Sequence, residues 1–461
     1  MIPHGTSHNG GQRYRMLASC LVIVILTVSI SLAGSIRYPD SSRTDLTAAE
    51  RKALIKGVCS RIEKIYPFEE IGRTTREGLL RNYTAGEYDH VLSRAEFAVR
   101  VTADLEDLSR DKHLDLYYDP VLAAELIARE KAGNKQVGET AAQVERARWE
   151  NFGFKAIRML DGQVGYLDLR MFYAAKYAGG TAAAAIEFLS GSKAVVVDLR
   201  LNGGGWDDMV TLLSSYFVDR NESEILAITQ STLDKSYYAS VVPSFVPGKR
   251  LTGIPVYILT SSRTASAAEA FTSIVRHLNS DVVVVGQRTA GAENPVGVVA
   301  LDSQFVLKIP CYRKIYFGGR LGWEGTGLTP DVEVSSDRAL ETAHLHALHT
   351  LQSKLTDSLA QEKIQWAIDG YQAVLQPKTV ELNILQSYAG RYGKAQVAIE
   401  GENLCVQFEH GPRKRLLPIS ANYFLIEGRD DLRLRFVTEH GRIIAIERIY
   451  SDGYRNLDMR Q

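Results

Sequence analysis

Cysteine is scarce in this 461-residue sequence, with four in all, at positions 20, 59, 311 and 405. Cys20 falls in an apolar N-terminal run, which leaves three, an odd and widely spaced set. That set excludes a disulfide framework and fits no zinc pattern. Net charge is absent as well: 54 Lys and Arg stand against 54 Asp and Glu. A chain without a basic excess has no field to gather nucleic acid. There is no tandem repeat and no low-complexity run. A phosphate loop is missing too, because the glycine run Gly203-Gly-Gly205 lacks the Gly-Lys-Ser/Thr ending such a loop needs. The length favours two to three domains, each able to bury a core.

What is present begins with an export signal. Arg13 and Arg15 precede an uncharged run from Met16 to Ala33, and Ser31-Leu-Ala33 offers small residues for a signal peptidase. At 18 residues the run 16–33 is also long enough to stay as a membrane anchor. Leu17-Ala-Ser-Cys20 resembles a lipoprotein box but precedes the apolar stretch, which argues against it. Either way the body is expected outside the cytoplasm. Thr47-Ala-Ala-Glu50 then reads as a capping box, opening a helix with Leu54, Val58 and Ile62 on one face.

The most informative stretch is Arg263-Thr-Ala-Ser-Ala-Ala-Glu-Ala-Phe271, directly after the apolar strand Val256-Tyr-Ile-Leu-Thr260. A helix is expected from about Ala265, with Ser266 at the junction. There a serine hydroxyl meets free N–H groups and the positive end of the helix dipole. Such a serine is either an N-cap or a nucleophile. A second strand, Ala194-Val-Val-Val-Asp-Leu-Arg200, runs into Leu201-Asn-Gly-Gly-Gly-Trp206. Three glycines can turn backbone N–H groups toward a ligand, or simply reverse the chain.

Phe97, Val101, Leu105 and Leu108 recur at helical spacing, and Leu114, Leu116 and Tyr118 alternate as in a strand. His113 lies between the two elements. It is either a solvent-exposed loop histidine or a base, since a near-neutral imidazole can take a serine proton. Glu269, one helical turn after Ser266, reads as a capping or supporting group.

Four ordered blocks carry a resemblance: Val197-Asp-Leu-Arg-Leu-Asn-Gly-Gly-Gly205, Thr264-Ala-Ser-Ala-Ala-Glu269, Val285-Gly-Gln-Arg-Thr-Ala-Gly291 and Gly322-Trp-Glu-Gly-Thr-Gly-Leu-Thr-Pro-Asp331. Together they resemble the serine peptidase superfamily of the tail-specific (C-terminal processing) proteases, over about residues 95–334. That superfamily includes the tricorn core and the interphotoreceptor retinoid-binding protein modules, whose branch the fourth block resembles. The tail-specific branch uses a Ser–Lys dyad, but the matching stretch here, Thr289-Ala-Gly-Ala-Glu-Asn294, has no lysine. The tricorn-like branch uses Ser, His and Glu, and the resemblance implies Ser266, His113 and Glu324 for these roles. The expected oxyanion hole joins the Ala267 amide to that of Gly203 or Gly204, and Trp206 and Arg263 either line the substrate cleft or are packing and surface residues.

The expected fold is therefore α/β. It comprises a crotonase/ClpP-like catalytic core, a helical N-terminal region and a small antiparallel β C-terminal domain. The expected divisions are 1–34 signal or anchor, 40–135 helical region, 136–337 peptidase core, 338–378 helical linker and 379–461 β domain. Core strands are expected at 154–160, 164–169, 194–200, 256–260 and 282–286. The stretch from His113 to Phe154 is too short for the PDZ domain that tail-specific proteases carry. The expected activity is peptide-bond hydrolysis through an acyl-enzyme, on a peptide or protein substrate. No cofactor or metal is expected, the resemblance leaves room for an oligomer, and anchoring would run through 16–33. Two rivals share the fold: a non-catalytic binder of hydrophobic ligands, and an acyl-CoA enzyme of the crotonase type, which needs no serine.

Overall fold

The computed structural model describes residues 46–91, 93–132, 141–218, 225–243, 245–316 and 322–461. The signal or anchor expected over 1–34 lies outside these residues. No helix among the described residues is long and apolar enough to cross a membrane. The described residues divide into two compact units, one formed by those within 1–145, 225–241 and 294–322, the other by those within 146–224, 242–293 and 323–461.

The first unit starts with the expected capping box. Glu50 N–H donates to Thr47 Oγ1 at 3.2 Å, and Thr47 N–H donates to Glu50 Oε2 at 2.8 Å. Helix α1 (Ala48–Ile65) buries Leu54, Ile55, Val58, Ile62 and Ile65, the spacing of one apolar face. Helices α2 (Glu69–Thr84) and α3 (Arg94–Ser109) complete a three-helix layer. Strand β1 (Asp115–Tyr118) follows α3, as the alternation of Leu114, Leu116 and Tyr118 implied. The unit is not helical alone. β1 pairs antiparallel with Phe305–Pro310, which pairs with Val296–Ala300. A second sheet joins Tyr312–Tyr316, Ile225–Ser231 and Tyr237–Val241. Phe305, Leu307 and Ile309 enter the same core as Leu54, Val58, Phe97 and Val101. The helical face is therefore covered by strands that arrive almost two hundred residues later.

The second unit contains a six-stranded sheet in the order Val332–Glu333, Val282–Gly286, Val256–Thr260, Ala194–Asp198, Val164–Leu169, Phe154–Leu160. All neighbours run parallel except the last pair, an edge hairpin. The five core strands expected from the sequence are all present, the one expected over 194–200 ending at Asp198, and Val332–Glu333 is an unexpected sixth. The inner runs Ala194–Asp198, Val256–Thr260 and Val282–Gly286 carry no polar alternation because both faces are covered, whereas the edge strand Phe154–Leu160 is only partly buried. Val164, Tyr166, Ala194, Val196, Tyr257 and Leu259 pack against Ala339–Gln352 and Ser358–Leu375.

The C-terminal part is an eight-stranded antiparallel meander over residues 390–459, each strand beside its successor. Tyr392 bridges Arg460, and Gln461 N–H donates to Arg391 C=O at 2.9 Å, so the last strand returns to the first. The expected small β domain is thus a closed barrel. Its interior is filled by Tyr388, Tyr392, Phe424 and Phe436 with aliphatic neighbours. Arg433, 2% exposed, fastens it to the helix Ser358–Leu375. Its guanidinium lies 3.8 Å from the Trp366 ring centroid and donates to Trp366 C=O. Cys59, Cys311 and Cys405 are buried free thiols, and burial pushes the first to about 11 and the second to about 12.

Candidate active site

Two loops at the carboxyl ends of neighbouring parallel strands build the site in the second unit. The strand Val256–Thr260 feeds the turn 261–265, and the helix Ala267–Leu278 follows. The helix starts two residues later than the sequence implied. Ser266 has φ 54° and ψ −119°, outside the helical region. A non-glycine residue held there costs about 1–3 kcal/mol and persists only when its surroundings enforce it.

Those surroundings are explicit. Thr264 Oγ1 donates to Leu199 C=O at 2.8 Å and accepts from Ser261 N–H at 2.9 Å. Ala265 N–H donates to Asn202 C=O at 3.1 Å, lacing the serine turn to the glycine loop. Buried Asn202 donates through Nδ2 to Leu169 C=O and accepts from Gly204 N–H, both at 2.9 Å. Gly204 has φ 113°, and a Cβ there would lie 2.7 Å from Ser266 Cβ and 3.0 Å from Ala267 N. The backbone of the glycine loop thus lies directly against the serine. Gly203 is exposed, with open space where a side chain would stand. Ala267 is the first helical residue, so its N–H has no intrahelical partner.

Glu269, fully buried, ties the serine to a third loop. Its Oε2 accepts from Ser266 N–H at 3.0 Å and Ala292 N–H at 2.9 Å. Its Oε1 accepts from Gly291 N–H at 2.9 Å and from the Thr289 hydroxyl. Burial pushes this carboxyl above the usual range, against the pull of those four donors. Glu324 lies in a turn strapped to the same loop. Its Oε2 accepts from Glu293 N–H at 2.7 Å, and its own N–H donates to Glu293 Oε2 at 3.2 Å. Gly325 N–H donates to Gly291 C=O at 2.8 Å. Trp206 is buried ahead of the helix Asp207–Ser214, whereas Arg263 is exposed.

His113 belongs to the first unit. Helix α3 ends at Arg110 in the left-handed region, φ 60°, and the chain turns through Asp111 into β1. His113 N–H donates to Asp111 Oδ1 at 2.9 Å, and Tyr66 O–H donates to Asp111 Oδ2 at 2.8 Å. The histidine is 6% exposed, so the surface-loop alternative is corrected. Burial, with Lys308 adding to it, drives the imidazole well below its ordinary value, so the ring is neutral. Burial pushes Asp111 up, opposed by His113 N–H, Tyr66, Asn294 and Lys308.

Ser266, Ala267, Gly203, Gly204, Trp206, Arg263 and Glu324 all belong to the second unit. Sequence reasoning missed Asn202, Thr264 and Asp111. An Asp two residues before a histidine, just past a helix end, was the signal for the last, because that spacing makes a side-chain-to-backbone turn.

Two sequence profiles match this chain. Residues 163–334 match Peptidase family S41, and residues 46–147 match the N-terminal domain of Peptidase_S41 in eukaryotic IRBP. Similar solved structures include a Bacteroides fragilis protein assigned to the S41 proteases, 20% identical, covering 48% of this chain at TM-score 0.37. This chain spans 58% of that protein. A lipoprotein from Streptococcus agalactiae is 15% identical over 68% of this chain and 100% of its own, with TM-score 0.41. The photosystem II D1 C-terminal processing protease is 14% identical over 63% of this chain and 94% of its own, with TM-score 0.40.

Proposed function

We propose that this chain, which matches the S41 peptidase family over 163–334 and that family's N-terminal domain over 46–147, hydrolyses peptide bonds through an acyl-enzyme on Ser266. The observation that carries this reading is the strained Ser266 at a helix N-terminus, pressed against Gly204. His113 takes the Oγ proton as Oγ attacks the scissile carbonyl, and Glu324 orients the ring. The oxyanion receives the N–H of Ala267 and that of Gly203. Gly204 N–H is committed to Asn202, which narrows the choice between the two glycines. Each such donor stabilises the transition state by about 3 kcal/mol. The imidazolium then protonates the leaving amine, and water deacylates the serine by the same route. A buried neutral imidazole supports this role, because it is ready to accept a proton at neutral pH.

A fluorophosphonate probe tests the assignment. It is expected to label Ser266, and Ser266→Ala is expected to abolish labelling with thermal unfolding unchanged within a few degrees. A folded wild-type protein that takes no label would return the non-catalytic binding reading, and label on another residue would move the nucleophile. We further propose export, resting on Arg13, Arg15 and the run 16–33. N-terminal sequencing from the native host is expected to begin near Ser35, and full-length protein in the cytoplasm would refute it.

A further inference from the structure

A serine–histidine pair works only if the nitrogen that receives the serine proton starts bare. The other ring nitrogen then carries hydrogen and needs an acceptor. In His113 the Nδ1 atom is buried and has no hydrogen-bond partner among the described residues. A buried donor left in that condition is costly, so an acceptor within reach is informative. Asp111 Oδ1 lies 4.0 Å from Nδ1. It is already oriented, because it accepts the His113 backbone N–H at 2.9 Å while Tyr66 holds Oδ2 at 2.8 Å. Asp111 is 1% exposed, so a carboxylate there acts on a nearby cation with little solvent screening.

We propose that Asp111 is a positioning residue for His113, sharing the ring's Nδ1–H with the orienting carboxylate of Glu324 and adding its charge to balance the imidazolium formed during catalysis. The proposal rests on the reading of His113 as the base and extends it. One short loop, Asp111-Lys-His113, supplies both the base and its counter-charge. A small rotation of the ring closes the 4.0 Å gap to a hydrogen bond once Nδ1 carries a full share of positive charge. Other groups set the field here. Lys308 pairs with Asp115 at 2.9 Å, and Glu106 and Lys112 lie within electrostatic reach of the same cluster. Lys308 opposes protonation of His113, which makes a dedicated negative partner more necessary.

The rate of fluorophosphonate labelling as a function of pH tests this on the full chain. Asp111→Asn keeps an oxygen for the His113 N–H and removes the charge. It is expected to slow labelling about tenfold or more. It should also move the acidic limb to lower pH, because the imidazolium loses its counter-charge. Tyr66→Phe, which removes one hydrogen bond from Asp111 and keeps its charge, is expected to do the same more weakly. It decides the matter if Asp111→Asn does not fold. A wild-type rate and limb in Asp111→Asn, or in Tyr66→Phe where that variant must stand in, overturns the proposal. His113→Ala separates the two levels. If it labels at the wild-type rate, the base itself is misassigned. If it labels slowly while Asp111→Asn stays normal, only the role of Asp111 fails.

Discussion

Ser266 and His113 each sit at a helix end, and the two ends are built in opposite ways. Ser266 stands before an N-terminus, half exposed, in a strained conformation with alanines on either side. His113 follows a C-terminus, buried, on a turn held by Asp111 and Tyr66, where the left-handed residue is Arg110 and not the histidine itself. The serine end gathers unpaired N–H groups and tolerates developing negative charge. The histidine end removes water and holds the imidazole neutral. On the roles proposed above, a nucleophile must be approached by substrate, whereas a base must only be ready. The difference follows from those two requirements.

The sharpest way to break the serine end is Gly204→Ala. The added methyl meets Ser266 Cβ at 2.7 Å and backbone atoms at 3.0 Å, at a φ of 113°. None of those neighbours is the far end of a flexible side chain. Fluorophosphonate labelling is expected to fall by about a hundredfold, with about 1–3 kcal/mol lost in denaturant unfolding. Gly180→Ala, at an exposed helical site with nothing within 4 Å, is the matched control and is expected to gain up to about 1 kcal/mol. If both variants behave alike, the serine end is not under the strain described.

The histidine end is probed by pH. With the folded imidazole below its ordinary value, the acidic limb of labelling is expected below about pH 6.5. The unfolded chain binds this proton at the ordinary value and the native chain resists it. The stability held by a neutral His113 is therefore complete above about pH 6.5. It declines as pH falls toward the folded value, by up to about 1.4 kcal/mol per pH unit. Glu269 and Asp111, raised by burial, have the opposite sign: what they add is greatest at low pH and is lost as pH rises. Comparing denaturant midpoints of wild type and His113→Ala at two pH values isolates the histidine. A gap between them that does not change with pH would contradict a buried neutral ring.

The smallest catalytic effect is expected from Arg433→Met. The guanidinium is stacked on Trp366 and lies 3.4 Å from Asp369. Its loss should loosen the barrel and lower the unfolding midpoint, while labelling of Ser266 stays within about twofold. A large loss of labelling would instead tie the barrel to the chemistry.

How much of this was legible in the sequence depended on how local the cause was. The strands Ala194–Asp198 and Val256–Thr260 announced themselves as unbroken apolar runs, and the Ser266 junction by its small residues. The Thr47 capping box is contained in four residues. The sheets of the first unit could not be read in this way. Asp115 pairs with Lys308 and Ile228 with Ile315, and no local pattern encodes partners so far apart. The helix starts later than the local pattern implies for a related reason, because Asn202 C=O holds the Ala265 N–H and Glu269 the Ser266 N–H, keeping the junction out of the helical region. The roles of Asn202 and Asp111 rest on hydrogen-bond geometry, which composition alone does not reveal.

The stitched seam of the barrel bears on durability. A peptidase of the sort proposed here would endanger its own kind wherever a ribbon of backbone peels away at an open margin. Tyr392 meeting Arg460 removes that margin. With no outer strand to fray, the barrel gives a sister molecule nothing to grip short of opening as a whole. Self-digestion there would be governed by the rare global event rather than by fluctuations at a rim, so the lifetime of the barrel in a crowded compartment would follow its unfolding rate.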